Sequence, residues 1–250
     1  MRYFKQEPAP EGYLKELMTE PRMPDNDPNE HSPSSDSTLY PNPVIINEYG
    51  WIWVNRDGST TTLTNFIYKR LFPDIKSPQE RYEIYAKTLA IKTEYWRAHR
   101  QAAAVMHFCG LGYSRPNEPR GQTSDNFIDL KNLVFEPHFY KYVRPSFSPL
   151  GIMLDFWDMH LEKNQEVRVP IHVFNDTYLS LKDSVQLNFY IDEKLISSQS
   201  EQFLVQENGK AMLDFSISVP DIAGKARLEG VTIHQGDTIK SIREFTIDIK

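Results

Sequence analysis

From about residue 150 to the end of the chain, apolar and polar residues alternate in short runs: Ile152 to Trp157, Val167 to Phe174, Val185 to Ile191, Phe203 to Val205, Met212 to Val219, Ala226 to His234 and Ile239 to Ile249. Successive side chains on a strand point to opposite faces, so a period of two specifies strands with one face buried. Turn-forming residues separate the runs, at Asn175-Asp176, Asp192-Glu193, Asn208-Gly209 and Gln235-Gly236-Asp237. About seven strands in roughly 100 residues predict an antiparallel β-sandwich of immunoglobulin-like size over residues 147–250. The only cysteine is Cys109, outside this stretch, so no intrachain disulfide pins it. Two prolines, Pro145 and Pro149, flank Ser-Phe-Ser at the predicted boundary.

Residues 44–146 follow a different grammar. Val44-Ile45-Ile46 is a short β-branched run that suits a strand buried on both faces. A helix is predicted from Pro78 to Arg100. Ser77 at the N-cap, Pro78 at the first helical position and Glu80 two further on form a capping box. Tyr82, Tyr85, Leu89, Lys92 and Trp96 step along one face, widened by Ala86 and Ala90. Ala102 to Phe108 is a second apolar run, leading into Cys109-Gly110-Leu111-Gly112. Strand, helix, strand predicts a βαβ unit with parallel strands. Two strands are too few for an independent parallel sheet. Residues 1–43 hold eight of the 17 prolines and read as irregular, either a leader or a long functional loop.

Several classes of function are disfavoured. The net charge of -6 opposes non-specific binding to nucleic acid or to an anionic membrane. No run approaches the roughly 18 apolar residues of a membrane span. The segment MRYFKQEPAPEG has no apolar core, so the chain reads as lacking a signal peptide. The seven histidines show neither HxH nor HExxH spacing, so no metal site is expected. Gly110-Leu111-Gly112 is too short for a dinucleotide loop. Cys109 reads as packing, and Trp157 as packing rather than an exposed sugar platform.

The sharpest chemical feature is Asn47-Glu48-Tyr49-Gly50-Trp51, directly after the first apolar run. In parallel α/β architectures functional groups gather at the C-terminal ends of strands. A glutamate there can act as nucleophile or proton donor at a glycosidic bond. Tyr49, Trp51 and Trp53 could stack on a pyranose, and the Asn47 amide could bind its hydroxyls. A solvated Glu48, or one paired with Arg56, accounts for the same residues.

The runs PVIINEYGWIWVNRDG, YWRAHR, MHFCGLGYSRP, GQTSDNFIDL and FEPHFYKYVRPSFSPLGIMLDFWD resemble the C-terminal portion of glycoside hydrolase family 2-type enzymes, in particular the large bacterial β-galactosidase-like members. The resemblance covers about four-fifths of the chain. It implies α/β plus all-β architecture, a partial (β/α)8 TIM-barrel remnant at 44–146 followed by an antiparallel immunoglobulin-like β-sandwich at 147–250. Residues 1–43 would form the loop before the seventh barrel strand. It implies Glu48 as the nucleophile of a retaining enzyme, with Asn47, Tyr49, Trp51 and His107 against a carbohydrate substrate, and no cofactor. Asn47 replaces the serine that many members carry before the glutamate, and Met106-His107-Phe108 stands where a tryptophan commonly ends the eighth strand.

The family's acid/base follows the fourth strand and has no counterpart here, so hydrolysis by the isolated chain is not expected. Asp125, Asp129 and Glu136 are the local carboxylates that could stand in for it. The alternative is a non-catalytic carbohydrate-binding or scaffolding module. An incomplete barrel exposes edges and apolar surface, which predicts oligomerisation, marginal stability or a partner chain that completes the barrel. The resemblance also implies a periplasmic or extracellular location.

Overall fold

A computed structural model describes residues 45–50, 52–99, 103–112 and 126–248, with the backbone only at residues 46–48. Residues 1–43, Trp51 and Asp125 lie outside the described residues. The chain divides into two compact units. One comprises residues 1–96 with Arg100–Val143, the other Arg97–His99 with Arg144–Lys250. The fold is mostly β-strands in sheets, with few helices. No helix among the described residues is long and apolar enough to cross a membrane.

In the first unit, β1 (Ile45–Tyr49) and β2 (Ala104–His107) pair in parallel. Partners run Ile45↔Ala104, Ile46↔Val105, Asn47↔Met106 and Tyr49↔His107, so the register shifts at Glu48. Between the strands lie α1 (Asn65–Leu71) and α2 (Pro78–His99). Parallel strands cannot be joined by a tight turn, and these helices make the connection.

The start of α2 is the capping box anticipated from its sequence. Ser77 N and Oγ donate to Glu80 Oε2 at 2.9 and 2.8 Å, and Glu80 N donates to Ser77 Oγ at 3.2 Å. The Glu80 carboxyl is held below its usual range, chiefly by the Ser77 backbone N–H. Beyond that first turn the helix is buried on more than its apolar stripe. Thr88, Thr93 and Glu94 are as enclosed as Leu89 and Tyr95. A single amphipathic stripe does not anticipate this, because the helix is covered on several sides. α1 was not legible in the sequence. It has only seven residues and is held by tertiary bonds, from Thr64 Oγ1 to Trp53 O and from Tyr68 Oη to Ile52 O, each 2.7 Å.

Two further short strands, β3 (Phe127–Asp129) and β4 (Val134–Phe135), form an antiparallel hairpin. A π-type turn over Phe139–Val143 follows.

The second unit contains two sheets over one apolar core. One sheet has the order β10-β7-β5, from β5 (Leu150–Leu154), β7 (Glu166–Asn175) and β10 (Lys210–Ser218). The other has the order β6-β12-β11-β8-β9, from β6 (His160–Leu161), β8 (Leu181–Ile191), β9 (Lys194–Val205), β11 (Gly224–His234) and β12 (Asp237–Ile247). All pairings within these sheets are antiparallel except β6 with β12. Alternate residues meet in the core: Ile152, Leu154, Val169, Ile171 and Val173 from one sheet, Val185, Leu187, Phe189 and Leu228 from the other. A Cβ at Gly230 would lie 3.4 Å from Ile152 Cδ1, which marks how closely the two layers approach. The result is a β-sandwich, as the period-two runs require. Asp192-Glu193 and Gln235-Gly236 take positive φ in their two-residue turns, matching the right-handed twist of the strands. β9 starts well before the run Phe203 to Val205, since Ser197, Ser198 and Ser200 at the sheet edge carry no apolar alternation.

Two measurable consequences follow from this packing. Lys92 on α2 is half-buried as a residue, yet its ammonium lies deep enough that desolvation lowers its pKa from 10.5 to about 8. Folding therefore disfavours the protonated form: the penalty is full below pH 8 and vanishes as the pH rises through the unfolded value. Lys92→Met should stabilise the protein at pH 7 by up to about 3 kcal/mol. That advantage over wild type should fade toward pH 10.5, as measured by urea unfolding across pH.

In the sandwich, a Cβ at Gly151 would sit 2.0 Å from the Phe174 ring, which is itself fully buried. Gly151→Ala should cost about 1–3 kcal/mol and lower the thermal midpoint by several degrees.

Candidate functional site

The C-terminal ends of β1 and β2 lie side by side because the two strands are parallel and in register. β1 runs further than the apolar run Val44 to Ile46 implies. It ends at Tyr49, so Glu48 lies within the strand, at its register shift, and not in a loop after it. Asn47 pairs with Met106 one step earlier. Trp51 lies outside the described residues.

Tyr49 fixes this end of β1 against α2. Its side chain is buried, and its Oη lies 2.7 Å from Thr93 Oγ1, which in turn donates to Leu89 O at 2.8 Å. Its carbonyl accepts from Phe108 N at 3.3 Å, which carries the ladder one residue past β2. Gly50 turns the chain with φ +82°, and a Cβ there would meet Leu89 Cδ1 at 2.5 Å. Only glycine meets both conditions. Trp53 is also buried. Its Nε1 donates to Phe108 O at 2.6 Å and its ring meets Phe108 edge-on at 5.7 Å. Tyr49 and Trp53 thus hold the two strand ends together.

His107 ends β2. Its Nε2 lies 3.5 Å from Asn126 Nδ2, which also approaches Cys109 O at 3.4 Å. Burial lowers the imidazole pKa, so the ring is neutral near pH 7. The amide is a donor, so Nε2 accepts and the ring proton sits on Nδ1. Asn126 is buried and its carbonyl accepts from Glu136 N at 2.8 Å. Beside it three rings stack, Phe127 on Phe135 at 4.6 Å and Phe135 on Phe139 at 5.2 Å, and His107 lies 6.0 Å from Phe139. Sequence reasoning passed over Asn126 and this ring series. The spacing of Phe135 and Phe139, four residues apart, was the available signal.

The nearby carboxylates have structural work. Asp129 accepts from Asn132 N at 3.1 Å and Nδ2 at 2.6 Å, and these bonds hold it below its usual pKa. A carboxylate so held is a poor proton donor at neutral pH. Glu136 is buried, with Oε2 accepting from Phe139 N at 2.8 Å and Oε1 2.7 Å from His138 Nδ1. Both of its oxygens are engaged. Asp125 lies outside the described residues. No group of three or more His, Cys, Asp and Glu among the described residues could hold a metal ion. This end of the sheet therefore offers a glutamate position on β1, a neutral imidazole, a buried amide and stacked rings. Such a set suits an uncharged ligand rich in hydroxyls better than an anion.

No protein-family model matches the chain, and no curated protein matches it. Among solved structures it is similar to a β-glucosidase from Listeria innocua in complex with glucose, at 12% identity and TM-score 0.33, covering 40% of this chain and 16% of that one. A β-glucosidase from Erythrobacter marinus is similar at 12% identity and TM-score 0.30, with 39% and 15% covered. A CARDB domain from Pyrococcus furiosus is similar at 14% identity and TM-score 0.33, covering 41% of this chain and 96% of that domain. The chain spans less than a fifth of either β-glucosidase.

The contact between His107 and Asn126 can be read in solution. Wild-type His107 should titrate below 6.5. Asn126→Asp would bring a carboxylate to the ring and should raise that pKa by about one unit or more. NMR titration of the imidazole C–H signals measures both. An unchanged value in the variant would mean that the two side chains are not neighbours.

Proposed function

We propose that this chain is the C-terminal part of a retaining, β-galactosidase-like glycoside hydrolase. In this reading residues 44–146 are the last βα units of a TIM barrel, and residues 147–250 are the immunoglobulin-like domain that follows it. The observation that carries the reading is the parallel β1–β2 pair, with Glu48 at the C-terminal end of β1 and His107 at the matching end of β2.

A retaining enzyme needs two carboxyl groups about 5–5.5 Å apart. Glu48 supplies the nucleophile. Its carboxylate attacks the anomeric carbon while an acid protonates the departing oxygen, and water then releases the sugar from the glycosyl-enzyme ester. Asp129 and Glu136 are tied into turns and Asp125 lies outside the described residues; in this reading the acid/base comes from barrel strands upstream of β1. Asn47, Trp51 and neutral His107 contact the sugar, with Tyr49 holding the strand end behind them.

Those strands flank the β1–β2 pair and cover Ile45 and Met106, which are about half exposed. They are supplied upstream or by a partner chain, and without them the chain is inactive. The enzyme acts in the periplasm or outside the cell.

The test uses the full gene product and an activated aryl β-galactoside. Glu48→Gln should lower kcat by at least about a thousandfold while the protein stays folded. Asp129→Asn should turn over normally. Retained turnover in Glu48→Gln removes that residue from the role. A product that binds galactosides and hydrolyses none leaves the non-catalytic carbohydrate-binding reading in its place.

A further inference from the structure

At one end of the sandwich the loop between β7 and β8 presents Tyr178 and Leu179, 88% and 70% exposed. Exposed apolar side chains on a mobile loop would be unremarkable, but this loop is fastened from beneath. Asn175 is fully buried, and its Nδ2 donates to Leu179 O at 2.7 Å and to Gln206 O at 2.9 Å. Its Oδ1 accepts from Thr177 N at 2.9 Å and from Thr177 Oγ1 at 2.7 Å. Thr177 O accepts from Asn208 N at 3.0 Å, which ties the loop to the turn between β9 and β10. One buried amide thus fixes both sides of the bend that carries Tyr178. The conformational cost of holding the ring out is met in the free protein, which is how rigid aromatic contacts gain affinity.

The same bend carries a polar group. Ser180 Oγ donates to either Gln206 Oε1 at 3.0 Å or Glu207 Oε2 at 2.9 Å. The Glu207 carboxyl is held below its usual range, first by its own backbone N–H and then by Ser180, so it is ionised at neutral pH. Within residues 176–181 and 206–209 the charged side chains are the carboxylates Asp176 and Glu207. Asp176 is paired to Arg97 at 2.7 Å, and the exposed Lys182 and Lys210 flank the bend, so the carboxylate on the bend itself opposes a phosphate or another anion. An apolar protein surface pressed onto the bend would take the ionised Glu207 carboxylate out of solvent with only the Ser180 hydroxyl to offset it. A sugar meets both needs, with C–H groups for an aromatic face and hydroxyls that donate to carboxylate and amide oxygens.

We propose that Tyr178 and Ser180, with Gln206 and Glu207 on the adjoining turn, form a binding platform for a neutral polysaccharide. It lies in the other unit from Glu48 and does not rest on the glycosidase reading, since a sugar-binding tip needs no second carboxylate.

The full chain is run in native gels containing soluble galactan, mixed-linkage β-glucan or xylan. At least one polysaccharide should retard it, and Glu48→Gln should be retarded equally. Tyr178→Ala should weaken binding about tenfold or more at an unchanged thermal midpoint. Tyr178→Phe should bind, because the ring face is retained, and Leu179→Ala should bind as wild type. Three results would each overturn the proposal: no retardation by any of the three polysaccharides, wild-type binding by Tyr178→Ala, or a Tyr178→Ala variant that sediments as a smaller species. The last would identify a second copy of the chain as the occupant.

Discussion

The candidate site depends on one constraint, that two parallel strands can lie side by side only if the chain crosses back over them. α1 and α2 make that crossing, and the hydrogen bond between Tyr49 and Thr93 closes it at the end where the chemistry is proposed. Gly50 against Leu89 and Trp53 on Phe108 O hold the same end from two further directions. Tyr49 and Trp53 therefore act first as scaffolding. A carboxylate on such an end is set by packed backbone, which suits chemistry that needs fixed distances between reacting groups.

The sandwich follows a different logic. Its two sheets meet over an apolar core, and polar side chains sit on outer faces and at loop ends. Thr232, Ser241 and Asn175 are buried polar exceptions, and the Asn175 side-chain amide bonds its own loop and the neighbouring β9–β10 turn. Buried polar groups are costly unless satisfied, and here satisfaction fixes the shape of an exposed bend. The same economy appears at Glu136, where a buried carboxylate caps the turn at Phe139. In both cases a polar residue that could suggest chemistry orders a neighbouring segment.

Much of the fold was legible in the sequence, because the signals were local. The capping box at Ser77 and Glu80, the positive-φ turns at Asp192-Glu193 and Gln235-Gly236, and the alternating runs of β7, β8, β10, β11 and β12 follow from near neighbours in sequence. The failures have equally specific causes. β9 was cut short because the polar run from Ser197 to Gln202, on the edge strand of the sheet, interrupts the apolar pattern between Ile196 and Phe203. α1 was missed because seven residues held by Thr64 and Tyr68 carry no pattern of their own. At the site, Glu48 and His107 could be selected by their place after apolar runs, whereas Asn126 and the stacked phenylalanines become neighbours of His107 only through contacts across the fold.

The sequence by itself determined the long helix α2, the long strands of the sandwich and their turns, and that two grammars occupy one chain. Propensity, capping and side-chain alternation act over a few residues and need no distant partner. Only the tertiary structure decided what individual polar and aromatic side chains do. It turned Tyr49 and Trp53 inward, engaged both oxygens of Glu136, kept His107 neutral and left Tyr178 in solvent. Burial and hydrogen-bond partners arise from residues far apart along the chain, and they set whether a given group packs, caps, titrates or binds.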